Sequence, residues 1–404
     1  MDFSVFSLSQ QRRKWRFRVA KNFSAYFAEK GVRGEKIYHI KDMQIILPGG
    51  YLYMVDIGID KIQLSNFAVK YIDMDRIKDM AQQTDAIKIV APNAKHGLRV
   101  EIFGGRHFCK LVVGYDYYKK HGEYYTKLTL SPSNVCGHNL YNLSYTYYNE
   151  LLPLILDHIE SKYGIDLDCC SAKVKTIEIN SNIRLLHRYD DYARVTRLLM
   201  SLLPIRNAEV QTCDGGETLL RKNGSVALAI YNKTDQVRKK IPKLVDDEDP
   251  DIMRIELRLL NASKVESAFG SNDWHTLNDD TIRAYMCKYM NNNMANEYKK
   301  WHERQEALLV EMIAAKRAQH KTRWQENLLI QILNDESINQ GVPIILDVGQ
   351  ICAAMGRVPD RNGNLARARK SMSKPRADND VLHNNDRAKV AEILGVFTSH
   401  QIKQ

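Results

Sequence analysis

The sequence lacks the cysteine patterns that mark zinc modules and disulfide frameworks. Its 404 residues include seven cysteines, an odd number, and no Cys-x-x-Cys pair. No apolar run approaches the roughly 18 residues of a membrane span, and the N-terminus has no apolar segment of the secretory type. P-loop and Rossmann glycine fingerprints are also missing. These absences predict a cytoplasmic protein without a membrane partner, a zinc module or nucleotide chemistry.

The charge of the chain favours a polyanionic partner. The formal net charge is +11, and 21 tyrosines accompany 59 lysines and arginines. Lysine and arginine release counterions from phosphates, while aromatic rings stack on bases. Near the N-terminus, Arg12, Arg13 and Arg16 alternate with Trp15 and Phe17. This segment is predicted to be a DNA-contacting arm, with a solvated basic terminus as the alternative.

Hydrophobic patterning predicts an α+β fold in three parts. Residues 1–36 form the basic arm, and 37–270 form a mostly antiparallel sheet with helices on one face. Residues 271–404 form an all-helical C-terminal domain. In that domain NLARARKSMSKPRA is strongly basic. It is more typical of a solvated helical face than of the DNA-contacting helix of a helix-turn-helix, which remains the alternative.

Four predicted strands each have one apolar and one polar face. Their polar faces hold the pairs Tyr125/Lys127, Glu178/Asn180, Tyr231/Lys233 and Glu256/Arg258. Small alanines, Ala227 and Ala229, share the face of Tyr231. A sheet that is covered on one side and open on the other would collect these polar groups in one place. We therefore expect a large ligand, DNA, to lie over this face.

The polar face has the groups that tyrosine-dependent cleavage of a phosphodiester requires. Tyr231 is the predicted nucleophile, and Lys233 is placed to lower the pKa of its phenol or to neutralise phosphate charge. Glu178 and Glu256 are each the lone acid on the polar face of an otherwise apolar strand. They are the predicted ligands of a divalent metal. The alternatives are a packing tyrosine and, around Glu256, an ion-pair ladder with Arg254 and Arg258.

Four blocks, in this order, resemble the replication initiators of filamentous phages, the gene II/X family, and their plasmid relatives. The blocks are YYTKLTLSPSNVCGHNLYN, VKTIEINSN, VALAIYNKTDQVRKK and RIELRL, which together span about residues 99–262. The most distinctive motif lies in the first block and consists of SP, GHN and the tyrosine that follows them. The resemblance implies a Rep-nuclease-like fold and rolling-circle initiation by a site-specific nicking and joining enzyme.

By this resemblance Tyr231 is the nucleophile, Lys233 its basic neighbour, and Glu178 and Glu256 the acids that hold Mg²⁺ or Mn²⁺. His138 lies in the shared loop. The DNA-contacting set is predicted to be His138, Lys127, Arg254, Arg258, Arg12, Arg13 and Arg16. The chain differs from the family at two positions. It has Glu178 where the relatives have an aspartate, and Lys127 where the phage relatives have an acid. No His-hydrophobic-His triplet occurs, so the metal centre of the wider HUH nuclease group does not carry over.

The implied partners are supercoiled origin DNA, its displaced single strand, and a host helicase and polymerase. Two other functions fit the same residues. One is a relaxase-type initiator of plasmid or element transfer, which shares the tyrosine chemistry. The other is a non-catalytic DNA-binding regulator that depends on the basic arm and the helical domain.

Overall fold

The computed structural model describes residues 54–55, 57–92, 97–105, 107–116, 123–135, 140, 142–206, 208–213, 218–242, 245, 250–319, 348–359, 364–372 and 386–398. Residue contacts divide the chain into two units, 1–54 and 55–404. All described residues except Met54 belong to the second unit. The predicted arm with Arg12, Arg13 and Arg16 lies outside the described residues, and so does His138.

A twelve-stranded sheet organises the described part of the chain. Its main order is β11-β12-β13-β14-β10-β2-β7-β6-β5-β4, with β1 and β8 beside it, and β3 pairs with β9 in a second sheet. Neighbours along the main order are antiparallel. The strands are β1 Met54–Val55, β2 Ile57–Ser65, β3 Ala68–Ile72, β4 Ile87–Val90, β5 Arg99–Ile102, β6 Lys110–Asp116, β7 Glu123–Leu130, β8 Asn142–Leu143, β9 Ile165–Asp168, β10 Lys173–Arg184, β11 Gln211–Cys213, β12 Thr218–Lys222, β13 Val226–Asn232 and β14 Ile252–Leu259.

One face of the sheet forms the core. Alternation along β2, β10, β13 and β14 directs aliphatic side chains to this face, where they are fully buried. They are Ile59, Ile62, Ile177, Ile179, Leu228, Ile230, Ile255 and Leu257, each 0% exposed.

Helices supply the other side of this core and continue to the C-terminus. They are α1 Met74–Gln83, α2 Pro132–Val135, α3 Tyr145–Tyr163, α4 Ala193–Leu202, α5 Lys233–Lys240, α6 Ala262–Phe269, α7 Asp279–Met290, α8 Asn296–Gln319, α9 Val348–Arg357, α10 Asn364–Met372 and α11 Asp386–Thr398. Helix α7 packs on β2 and β10, and α6 packs on β10 and β14. Among the described residues, no helix combines the length and the apolarity that crossing a membrane needs.

Local sequence signals set several helix ends. Ser144 accepts a hydrogen bond from the backbone N–H of Tyr147 and so begins α3. Gly164 ends that helix with a φ of 67°, a conformation that only glycine adopts without strain. Asn278 caps α7 through a reciprocal capping box with Thr281.

The predicted fold class is confirmed: the described chain is an α+β structure, an antiparallel sheet with helices, followed by a helical C-terminal region. The predicted boundary near residue 270 stays a prediction. One local prediction was wrong. Tyr231 and Lys233 do not share a strand, because β13 ends at Asn232 and Lys233 is the first residue of α5.

Candidate active site

The polar face of the sheet carries the candidate site in three rows of directly opposed residues. Opposed residues in an antiparallel pair point to the same face. The buried row contains Tyr231, Arg254 and Asn182; the middle row Ala229, Glu256 and Asn180; and the open row Ala227, Arg258, Glu178 and Lys61. The predicted convergence of Tyr231, Glu178 and Glu256 on one face is therefore what the strand register shows.

Three carboxylates meet in this face. Asp60, Glu178 and Glu256 each present an oxygen, and these oxygens all lie within 4.8 Å of one another. The three residues come from β2, β10 and β14, which are adjacent strands. Hard divalent cations such as Mg²⁺ take oxygen ligands of this kind. The donor set therefore fits the predicted metal.

Sequence analysis missed Asp60, the third acid. The pairing of β2 with β10 contains a bulge at this point, where Lys61 opposes Glu178 and Ile59 opposes Ile179. The extra residue, Asp60, is thereby added to the polar face beside Glu178. A signal was present in the sequence, since the apolar alternation of β2 changes phase between Ile59 and Ile62.

Two of the three acids have raised pKa values. Burial, and then the neighbouring charge of Glu256, raises the pKa of Glu178 to about 7. The pKa of Glu256 is also raised, by burial and by Asp60. Carboxylates this close disfavour one another's charged forms. A bound divalent ion would remove that repulsion, which is a second reason why the residues fit a metal.

Arg258 balances part of this negative charge. Its guanidinium donates to Glu256 Oε2, with a distance of 3.0 Å from Nε, and Nε lies 4.0 Å from Glu178 Oε2. The Arg258 side chain is 34% exposed, so it also faces the solvent above the site. An ion-pair ladder around Glu256 was the alternative to a metal site. The ion pair between Glu256 and Arg258 is present, and the acid cluster is present beside it.

Arg254 has different surroundings. It is 0% exposed, and its guanidinium donates to Asp60 Oδ1 at 3.0 Å and to Asn182 Oδ1 at 2.8 Å. It also donates to the carbonyl oxygen of Leu140 at 3.1 Å and to Asn142 Oδ1 at 3.2 Å. This geometry favours a positioning role, in which Arg254 holds Asp60 in the cluster, over the predicted contact with DNA.

Tyr231 lies beside this buried arginine. It is 6% exposed and directly opposes Arg254 across the β13–β14 pair. Burial, and then the charge of Glu256, raises the pKa of its phenol, so the hydroxyl keeps its proton at neutral pH. Attack by this oxygen therefore needs a base and a phosphate that reaches it.

Lys233 is a candidate base beside the ring of Tyr231. It is 0% exposed, and its Nζ lies 5.7 Å from the centroid of the Tyr231 ring and 2.7 Å from Gln236 Oε1. Burial, and then the charge of Arg254, lowers the pKa of this amine to about 7. A substantial fraction of Lys233 is therefore uncharged near neutral pH, and an uncharged amine accepts a proton.

From the open row, a basic surface continues across β7, β6, β5 and β4. Lys127 has a pKa that is lowered by burial and then by Lys175, and Arg99 and Lys110 contribute further. Phe103 is 39% exposed, and the Nζ atoms of Lys88 and Lys110 lie 5.7 and 5.1 Å from its ring centroid. We call these residues the lysine track: Lys61, Lys88, Arg99, Phe103, Lys110, Lys127 and Lys175. Cations around an exposed aromatic ring are the features that bind single-stranded nucleic acid.

Part of the segment SPSNVCGHNLYN is described, and its residues Pro132–Val135 form helix α2. Asn134 accepts a hydrogen bond from Cys109 Sγ at 2.6 Å, and Ser131 Oγ donates to Asn134 Oδ1 at 3.0 Å. Burial raises the pKa of the Cys109 thiol, and the charges of Lys61, Asp60 and Glu178 also act on it. The described part of this segment is thus joined to Cys109, on whose thiol the charges of Asp60 and Glu178 act.

No protein-family model matches the sequence, and no curated protein sequence matches it. Among solved structures, the chain is similar to a rolling-circle replication initiator protein from Geobacillus stearothermophilus. The TM-score is 0.31 at 12% identity, and the match covers 59% of this chain and 85% of that chain. A similarity of this size carries no argument about activity, so the function is inferred from the residues of the site.

Proposed function

We propose that the chain is a rolling-circle replication initiator that nicks and rejoins one strand of origin DNA through Tyr231. The observation that carries the proposal is the convergence of a buried tyrosine and three carboxylates on one sheet face, with the amine of Lys233, from the start of α5, beside the tyrosine ring. Each of these is a group that the reaction needs, and each is costly to bury without such a use.

The proposed reaction transfers the phosphate from a 3′ oxygen to tyrosine. Uncharged Lys233 takes the phenolic proton while Tyr231 Oη attacks the phosphorus. The bond from phosphorus to the 3′ oxygen breaks, and the leaving oxygen takes a proton to become a 3′ hydroxyl. The products are a 5′-phosphotyrosine ester and a free 3′ end. Because one phosphoester replaces another, rejoining by a later 3′ hydroxyl needs no nucleotide.

Asp60, Glu178 and Glu256 would hold the divalent ion, which supplies charge to polarise the scissile phosphate. Arg254 keeps Asp60 in position. Arg258 neutralises the acids before DNA arrives and would contact the phosphate afterwards, which is the role that the sequence predicts for it. Lys127 belongs to the lysine track, which would hold the single strand as it leaves the site.

In this proposal the 3′ end at the nick primes a host polymerase, and a host helicase displaces the strand. The free protein must first uncover Tyr231. The carbonyl of Leu140 accepts hydrogen bonds from both Arg254 and Asn182, so Leu140 lies over the buried row. We propose that origin DNA displaces Leu140 to reach Tyr231.

The burial of Tyr231 is also the observation that favours the alternative, a DNA-binding regulator without catalysis. The test uses purified protein, Mg²⁺ and supercoiled DNA of the replicon that encodes the chain. We expect nicked circles with protein on the 5′ end, none with Tyr231→Phe, and none after chelation of the metal.

Tyr125→Phe is the matched control, since it removes a hydroxyl from a tyrosine on the same sheet face. It should nick as the wild type does. Nicking that survives in Tyr231→Phe would remove Tyr231 as the nucleophile. Equal binding without nicking in all three proteins would support the regulator.

A further inference from the structure

The amine of Lys233 has one hydrogen-bond acceptor among the described residues. Lys233 is 0% exposed, and its Nζ donates to Gln236 Oε1 at 2.7 Å. Gln236 lies three positions further along α5, so the two side chains are neighbours on the surface of the helix. A charged ammonium has three N–H donors, whereas an uncharged amine has two donors and a lone pair. A buried site with one acceptor therefore satisfies the uncharged amine better than the ammonium.

The first turn of α5 is fixed to its surroundings. The Oδ1 atom of Asn232 accepts a hydrogen bond from the N–H of Asp235 at 3.2 Å. The Oγ1 atom of Thr234 accepts a hydrogen bond from the N–H of Ile252, the first residue of β14, at 2.8 Å. These contacts tie the start of the helix to the sheet. The side chain of Gln236 therefore reaches the amine from a backbone that is held in place.

The charges around Lys233 act on its amine in both directions. Burial, and then the charge of Arg254, lowers the pKa of Lys233 to about 7. The other charged groups that act on it are Asp60 of β2 and Glu256 of β14, which raise the pKa, and Lys240 of α5, which lowers it. The neighbouring phenol, from β13, is uncharged at neutral pH. Gln236 adds an acceptor without a charge, so it holds the amine without favouring the ammonium as a carboxylate would.

We propose that Gln236 is a positioning residue, whose amide oxygen holds the amine of Lys233 beside Tyr231 in its uncharged form. A lysine side chain has many rotamers, and a fixed acceptor selects among them. With one N–H donated to Gln236, the lone pair points away from that oxygen, on a nitrogen 5.7 Å from the centroid of the Tyr231 ring. The inference rests on the proposed function, because the amine needs this arrangement only if it takes a proton from Tyr231.

The first variant, Gln236→Glu, keeps an acceptor and adds a negative charge. An opposite charge within about 4–6 Å raises the pKa of an amine by about 1–3 units. The nicking rate of a single strand should therefore fall by about 5- to 500-fold at about pH 7 and recover as the pH rises. At high pH it should reach the wild-type plateau, because the acceptor is still present.

The second variant, Gln236→Met, has a side chain of similar length without an acceptor. Its plateau should fall by about 10- to 100-fold, the cost of a misplaced reacting group, and its rise with pH should not move to higher pH. A side chain that only supports the fold would lower the plateau in both variants and leave the midpoint of the rise in place. The matched control is Gln211→Glu, at an exposed position of the edge strand β11, which should keep both plateau and midpoint.

The pKa of Lys233 is also measured in the full-length chain without DNA. An NMR titration with isotope-labelled lysine follows its Cε signal, and Lys233→Arg assigns that signal. Saturating Mg²⁺ in both experiments keeps the charge of the acid cluster constant. We expect a midpoint near 7 in the wild type and one about 1–3 units higher in Gln236→Glu.

The two readouts separate the role of Gln236 from the chemistry. A midpoint that stays in place in Gln236→Glu, or that rises equally in Gln211→Glu, would overturn the role of Gln236 even if the wild type nicks DNA. A midpoint that rises only in Gln236→Glu supports the control of the amine by Gln236. If the wild type then fails to nick, the proposed function is wrong while the control of the amine stands.

Discussion

Arg254 and Arg258 lie two residues on either side of Glu256 and point to the same face of β14, yet their surroundings differ. Arg254 is 0% exposed and donates to four protein groups. The Arg258 side chain is 34% exposed and pairs with the acids. One strand therefore joins a buried end of the polar face to an open end.

The two ends suit different tasks. At the buried end, burial lowers the pKa of Lys233 and raises that of Tyr231, as the proposed proton acceptor and protected nucleophile require. At the open end, Lys61 is exposed and the lysine track begins. In the proposed function the chemistry therefore takes place at the buried end and the single strand is recognised at the open end.

The largest expected effect is a loss of nicking rate on substitution of Lys233, at the buried end. Lys233→Arg keeps the charge but removes the proton acceptor, because an arginine stays protonated. We expect the rate of nicking of a single strand to fall by about 10²- to 10⁴-fold, the range for one general base. In the wild type the uncharged amine is the active form, so the rate should rise as pH increases through about 7.

The control for Lys233 is Lys61→Arg, which makes the same change at the open end of the face. It should keep both the rate and the rise with pH. Measurement under single-turnover conditions at saturating Mg²⁺ keeps metal binding from adding its own pH dependence. A wild-type rate that is flat between pH 6 and 8 would count against Lys233 as the base.

The second prediction compares the two arginines directly. Arg254→Met leaves Asp60, two side-chain amide oxygens and the carbonyl of Leu140 without their buried donor, and we expect a loss of about 3–5 kcal/mol in the free energy of unfolding. Arg258→Met should lose no more than about 1 kcal/mol once Mn²⁺ is present, since the metal neutralises the same acids. Urea unfolding with and without Mn²⁺ measures both. Equal losses in the two variants would contradict the distinction between buried and open ends.

The third prediction concerns metal binding and pH. Because the folded-state pKa of Glu178 is raised from 4.5 to about 7, stability from this group is lost as pH rises through that window. Mn²⁺ binds the charged carboxylates and should restore it, by about 2.7 kcal/mol at a hundredfold excess over Kd. We therefore expect thermal unfolding to show a larger Mn²⁺ effect at pH 8 than at pH 5.5.

Variants at the acids complete this test. Asp60→Asn and Glu178→Gln should each remove most of the Mn²⁺ effect, whereas Glu101→Gln, at an acid that pairs with Arg99 and Lys110, should leave it intact. A Mn²⁺ effect of the same size in Asp60→Asn would exclude Asp60 from the metal site.

The fold class and most of the acid cluster were predictable because antiparallel pairing preserves alternation. Glu178, Glu256 and Tyr231 each alternate with aliphatic residues, so the pattern alone assigns them to one face. Asp60 was not predicted as a ligand because the bulge in β2 interrupts the alternation. Its phase change, from Ile57 and Ile59 to Ile62 and Leu64, is visible once a bulge is considered.

Two further features depend on information that alternation does not contain. The end of β13 was predictable from local chemistry, because Asn232 accepts a hydrogen bond from the N–H of Asp235 and begins α5. The burial of Arg254 and Tyr231 was not predictable, because alternation indicates which way a side chain points but not which distant residues cover it. The carbonyl of Leu140, 114 positions away, is one of the groups that bury Arg254.

The smallest expected effect lies at the far end of the lysine track. Phe103→Ala removes an exposed ring between Lys88 and Lys110, and stacking on one base contributes about 1–3 kcal/mol. We expect single-strand affinity to fall about 10-fold, with little change in salt dependence, because no charge is lost. Lys127→Ala removes a charge and should therefore lower the salt slope by about 0.7, the value for one phosphate contact on a single strand. Anisotropy titrations over a range of salt separate the two results. If both variants bind as the wild type does, the single strand does not cross β7, β6 and β5, and recognition at the open end is limited to Lys61 and Arg258.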